Sequence, residues 1–121
     1  MRTAKQKLRS EADQLFYKVC LKLNNRCLLC DSLASQIHHF KPKSTFGILR
    51  YEVINGIPLC QSCHFKLTFT DSSLQAKIAD IKGSRWFKRI EELSKGTPAD
   101  YQRNEWYKLN IKKLEKLLKK L

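Results

Sequence analysis

Apolar residues recur through residues 3–24 at Leu8, Ala12, Leu15, Phe16, Val19 and Leu23. The rhythm fits one face of an α-helix. Lys5, Lys7, Arg9, Lys18 and Lys22 fall largely off that face, and Asn24-Asn25 reads as the stop. A second helical stripe, Tyr107, Ile111, Leu114, Leu118 and Leu121, lies near the C-terminus. Its start is predicted at Thr97-Pro98-Ala99-Asp100, with Thr as N-cap and Pro at the first helical position. This stripe can pack on the first helix or make a homodimer through the C-terminal helix. Packing within the chain is the expectation.

The middle of the chain has a different texture. Ser35–Phe40 predicts a short strand ended by Lys41-Pro42, and 43–56 reads as a loop with Gly47 and Asn55-Gly56. Ile57–Leu59 predicts a second short strand, followed by a helix from Gln61 to about Phe69. Asp71 or Ser72 is expected to cap a helix through Leu74, Ile78 and Ile81, stopped by Gly83. Ser84 is expected to cap the next, with Trp86, Phe87, Ile90 and Leu93 inward and Gly96 ending it. The sum is a mostly helical α+β chain. It reads as a single domain over 1–121, with an N-terminal helix (1–25), a central finger (26–70) and C-terminal helices (71–121).

A chain of 121 residues can bury only a small core and gains from a staple. No apolar run follows the opening MRTAKQKLRSEADQL, and none approaches membrane-spanning length. The expected location is therefore intracellular and cytoplasmic, with no membrane partner, although the basic KLEKLLKKL tail would also suit a membrane surface. In a reducing compartment, Cys-x-x-Cys pairs favour metal over disulfides.

The formal charge of +13 is unevenly spread. Residues 1–26 and 101–121 each hold seven Lys/Arg against two acids, whereas 27–70 hold four against two. Such an excess points to a polyanionic partner, most simply nucleic acid. A merely solvated surface is the plainer alternative.

The candidate chemistry sits in the central stretch. Cys27, Cys30, Cys60 and Cys63 form two Cys-x-x-Cys knuckles, the pattern of a closed tetrahedral structural zinc site. A redox dithiol is the competing reading, and two pairs with histidines between them argue against it. Cys20 has no partner at ligand spacing and reads as a small buried hydrophobe. His38, His39 and His64 are all the histidines of the chain, and all lie inside the stapled unit. With four cysteines satisfying the zinc, they are free for a second task.

The pattern CLLC (27–30), HH (38–39), Asn55 and CQSCH (60–64) resembles the HNH endonucleases with a ββα-metal core. The stretch LRYEVINGIPLCQSCH is also similar to the phage lambda NinG recombination family, whose members cut branched DNA. The resemblance implies DNA as substrate and a bacterial or phage-infected host. It implies His39 as general base, His38 and His64 as ligands of a catalytic divalent metal (Mg²⁺ or Mn²⁺), and Asn55 as the central asparagine. Many members carry Asp at the position of His38, which leaves the metal open. Lys41, Lys43, Arg50 and Lys66 are the nearest candidates for phosphate contact.

Elementary chemistry agrees with these roles. A neutral imidazole can take a proton from water near pH 7. Phosphodiester hydrolysis also needs charge neutralisation at the phosphoryl oxygens. Alternation along a strand sends His38 and His39 to opposite faces. That arrangement suits in-line attack, with water on one side of phosphorus and metal on the other. A zinc-stapled nucleic-acid-binding module without catalysis is the alternative, and such a module has no need of His38, His39, Asn55 and His64 together.

Overall fold

The computed structural model covers residues 1–121. Helix α1 (Ala4–Leu23) opens with a capping box. The Thr3 hydroxyl accepts from the Gln6 amide at 3.1 Å, and the Gln6 side chain accepts from the Thr3 amide at 2.8 Å. Asn24 ends the helix in an extended conformation, as the sequence predicts.

Strands β1 (Gln36–His39) and β2 (Gly56–Leu59) form a two-stranded antiparallel sheet, with His39 opposite Gly56. The loop between them is not structureless. It carries two short 3₁₀ turns, Gly47–Leu49 and Val53–Asn55. Helix α2 (Gln61–Phe65) follows β2 and runs into a π-helical turn, Lys66–Thr70. Phe65 and Phe69 stay exposed there, while Leu67 turns inward.

Helices α3 (Leu74–Lys82), α4 (Ser84–Leu93) and α5 (Asn104–Lys120) complete the chain. Several expected boundaries move. The N-cap of α3 is Ser73, whose backbone N–H and hydroxyl both donate to the Asp71 carboxylate, so Asp71 acts one step earlier. Gly83, at φ 95°, is the N-cap of α4, and Ser84 is already helical. Phe87 is 39% exposed rather than inward, although its ring still meets Phe40 edge-on. Leu121 is exposed as well.

The largest difference is the start of α5, which begins at Asn104 and not at Pro98. Residues 98–103 make tight turns instead, with Tyr101 N–H donating to Pro98 O and Arg103 N–H to Asp100 O. Gln102 sits in the left-handed region at φ 62°, which no helix continues through. Packing explains the detour. The Tyr101 ring meets Trp106 edge-on at 5.0 Å and its hydroxyl lies over Gly47, where a Cβ would be only 1.9 Å away. Local capping preference yields to that aromatic contact.

Only 19 residues are buried, so two small cores share the work. One joins Ala12, Phe16 and Val19 of α1 to Trp106, Tyr107, Ile111 and Leu114 of α5. Tyr107, Ile111 and Leu114 of the C-terminal stripe thus pack within the chain. The other gathers Cys27, Phe40, Leu49, Ile57, Ile78 and Ile90 under the sheet and α2–α4. Gly56 lets α1 approach the sheet, because an added Cβ would lie 2.7 Å from the Cys20 Sγ and 3.0 Å from Phe16. Cys20 is buried at that seam, as expected for a small hydrophobe, and burial pushes its thiol up to about 12. No helix is long and apolar enough to cross a membrane.

Candidate active site

Two sites emerge from the central stretch. The first is the cysteine cluster. In the first knuckle the Cys27 N–H donates to Ser32 O and the Asp31 N–H to Cys27 O, with Asp31 at φ 64° closing the turn. The second knuckle is built on the start of α2, where the Cys60 Sγ accepts from the Cys63 N–H at 3.3 Å. Sequence distance disappears here. The four sulfurs all lie within 4.8 Å of one another, and Cys30 Sγ is 3.6 Å from Cys60 Sγ. A tetrahedral ion with metal–sulfur bonds of about 2.3 Å needs sulfurs about 3.8 Å apart. The cluster therefore has the donors and the spacing to hold a metal such as zinc.

Its electrostatics point the same way. The Cys63 amide lowers the Cys60 thiol to about 6, so a thiolate forms there easily. Ser32 lowers the Cys30 thiol. The Cys63 thiol is pushed up by burial and then by the neighbouring thiols. Thiolates crowded at one point repel each other, and a cation at the centre relieves them.

The second site is the histidine group. His38 and His39 leave β1 on opposite faces, as strand alternation requires. The His38 ring meets His64 of α2 with centroids 5.8 Å apart, and its Nε2 lies 3.0 Å from Gln75 Oε1. Gln75 Nε2 donates to Phe40 O at 2.7 Å, which fixes the amide's orientation. The Gln75 oxygen therefore faces His38 and accepts from Nε2–H, leaving the lone pair on Nδ1. Two imidazoles sharing one ion at about 2.1 Å per bond have centroids at most roughly 6.5 Å apart, and the His38–His64 spacing lies within that limit.

His39 goes the other way. Its ring stacks on Phe16 of α1 at 5.0 Å, and its Nε2 lies 2.9 Å from Arg50 O. A carbonyl only accepts, so Nε2 carries the proton and Nδ1 carries the free lone pair. Burial lowers the pKa of both histidines. For His39 the nearby positive charges of Lys43 and Arg50 lower it further, while the Arg50 carbonyl and Asp13 act in the opposite direction. The result is a neutral imidazole with a fixed orientation.

Asn55 is fully buried. Its Oδ1 accepts from the Lys41 N–H at 2.8 Å, and its Nδ2 donates to Lys41 O at 3.1 Å and Leu49 O at 3.4 Å. It pins both ends of the loop that carries Arg50.

Residues 21–70 match the HNH endonuclease family model. The HNH match covers less than half of the chain, and it spans both knuckles, the histidines and Asn55. No curated protein and no solved structure matches the chain. The HNH segment carries the potential for metal-dependent nuclease activity.

The four expected phosphate contacts divide. Lys43 and Lys66 are exposed. Lys41 is held by Glu91 at 2.7 Å and lies over the Phe46 ring. Arg50 is tied to Asp13 through two hydrogen bonds of 2.9 and 2.8 Å. Asp13, Phe16 and Gln75 were not among the residues the sequence singled out. Phe16 gave a signal only as part of a core stripe, and Gln75 gave none.

Proposed function

We propose that this chain is a metal-dependent DNA endonuclease that hydrolyses phosphodiester bonds with His39 as general base. The observation that carries this is the 2.9 Å contact between His39 Nε2 and Arg50 O, because it leaves Nδ1 as the proton acceptor. His39 Nδ1 takes the proton of the attacking water, and the Arg50 carbonyl supports the imidazolium that forms. Phe16 holds the ring plane by stacking. Asn55 acts through the loop it pins. His38 and His64 would hold a divalent cation, Mg²⁺ or Mn²⁺, which would supply charge neutralisation at the phosphoryl and leaving oxygens. Attack in line, with base and cation on either side of phosphorus, is favoured by the opposite directions of the two rings.

The cysteine site would hold Zn²⁺ as a structural staple, with no coordination position left for substrate. We take residues 1–121 as one nuclease unit, since α1 reaches Arg50 through Asp13 and α4 reaches the loop through the Trp86 Nε1–H bond to Ile54 O. Lys43 and Lys66 are the candidate phosphate contacts at the rim. The similarity to the NinG recombination family makes branched DNA the first substrate to offer. The test is a nicking assay on supercoiled plasmid and on four-way junctions with Mg²⁺ and with Mn²⁺. Wild type should cut and His39→Ala should not, while still binding DNA. A zinc-loaded wild type that binds DNA and never cuts would leave a binding module as the better reading.

A further inference from the structure

On the His39 face of the sheet, the turn before α5 closes over the loop that precedes β2. A cavity of about 130 Å³ lies between them and α1. Its lining includes Arg9 of α1, Lys43 and Arg50 of the loop, and Tyr101 and Gln102 of the turn. Three cationic residues from two separated segments therefore line one small space, and no acidic residue lines it.

Those cations are not equally occupied. Arg50 spends Nε and Nη2 on Asp13. Arg9 places its guanidinium over the Tyr107 ring at 5.8 Å, yet its Nε is buried without a hydrogen-bond partner. It is the buried side-chain polar atom left unsatisfied in the chain. That nitrogen is closed to solvent, so the part of Arg9 offered to an anion is the remainder of the guanidinium where the residue lines the cavity. Lys43 is exposed at the rim and makes no ion pair. The cavity has the volume of about four waters, enough for a phosphate group and too little for a nucleoside.

We propose that this cavity is a phosphate-binding site, with Arg9 and Lys43 as the residues that take the anion and Arg50 as its wall. Its place relative to His39 gives it a use. Arg50 lines the cavity and holds His39 through its carbonyl. An anion seated there is one residue from the base, so a DNA phosphate flanking the cut would register the strand against His39. This use rests on the nuclease reading, whereas the anion site itself does not. Gly47 also lines the cavity, and its missing Cβ is what admits the Tyr101 hydroxyl to the wall.

Two arms test the site and separate its sources of phosphate. In the first, the melting temperature of zinc-loaded protein is measured in inorganic phosphate and in chloride of equal ionic strength. Phosphate should raise it for wild type, and both Arg9→Gln and Lys43→Gln should reduce the shift. Lys43 is exposed, so its variant keeps the test open if Arg9→Gln disturbs folding. In the second arm, duplexes and four-way junctions carry one neutral methylphosphonate at successive positions, and binding is measured without added catalytic metal. One position should cost wild type about tenfold in affinity and cost Arg9→Gln/Lys43→Gln little. The same double variant should flatten the salt dependence by about one unit of slope for the lost phosphate contact, beyond any change in Lys119→Gln/Lys120→Gln.

A phosphate shift without a sensitive DNA position would assign the site to free anions. Neither a phosphate shift nor a sensitive position would overturn the proposal. If wild type cuts DNA and both arms are flat, the inference fails and the nuclease reading stands. If the phosphate shift depends on Arg9 and nothing is ever cut, the reading fails and the site stands.

Discussion

Asp13 of α1 holds Arg50 through two parallel hydrogen bonds, 2.9 Å from Nε to Oδ1 and 2.8 Å from Nη2 to Oδ2. The carbonyl of that same Arg50 holds His39. A residue outside the HNH match thus supports the residue that orients the candidate base. Asp13→Asn should lower kcat roughly tenfold, since it loosens the residue whose carbonyl positions His39. The ion pair is partly exposed, so stability should fall by only about 1 kcal/mol or less. A kcat equal to wild type in a folded, zinc-loaded variant would show that the Arg50 carbonyl needs no such support.

The pH profile should carry the mark of His39. Burial lowers its pKa from 6.5, so the neutral base persists below that value and the rate should fall only as pH drops through the lowered pKa. Asp13 raises the His39 pKa, so Asp13→Asn should move the acid limb lower still. His39→Ala should lose roughly 10²- to 10⁴-fold in kcat and lose the limb with it. The measurement is kcat against pH at saturating metal for the three proteins.

Zinc removal should unfold the finger. A core of so few buried residues depends on its staple, and structural zinc binding is worth about 10 kcal/mol or more. A strong chelator, or Cys60→Ser, should abolish the cooperative melt of residues 26–70 along with activity. Cys20→Ala should keep one zinc per chain and cost about 1 kcal/mol, because Cys20 packs against Gly56 and Phe16 rather than joining the cluster. Metal analysis alongside a thermal melt distinguishes the two kinds of cysteine.

Gly56→Ala should destabilise by about 1–3 kcal/mol, because the new methyl meets Cys20 Sγ at 2.7 Å. The cost should shrink in a Cys20→Ala background, where that sulfur is gone. Phe16 at 3.0 Å keeps it above zero. Denaturant melts of the four proteins in a double-mutant cycle measure the coupling.

Two imidazoles make a softer site than carboxylates. Activity with Mn²⁺, Co²⁺ or Ni²⁺ should at least equal that with Mg²⁺. A metal titration in which Mg²⁺ alone supports cutting would count against His38 and His64 as the ligand pair.

The sequence by itself determined the first helix, the existence though not the start of the last one, the two short strands and the four-cysteine set. Helical period, strand alternation and Cys-x-x-Cys spacing are local properties, written in residues a few positions apart. It also determined that His38 and His39 part company, because a strand allows nothing else. The tertiary structure decided what each ring meets. Asp13 and Arg50, like His38 and Gln75, are 37 residues apart, and no local pattern joins them. It decided that Glu91 takes Lys41, that Tyr101 on Gly47 delays α5, and that Arg9 lines one small cavity with Lys43 and Arg50. The proton on His39 Nε2 belongs to the same class. Its position follows from a carbonyl that only the folded chain brings within 2.9 Å.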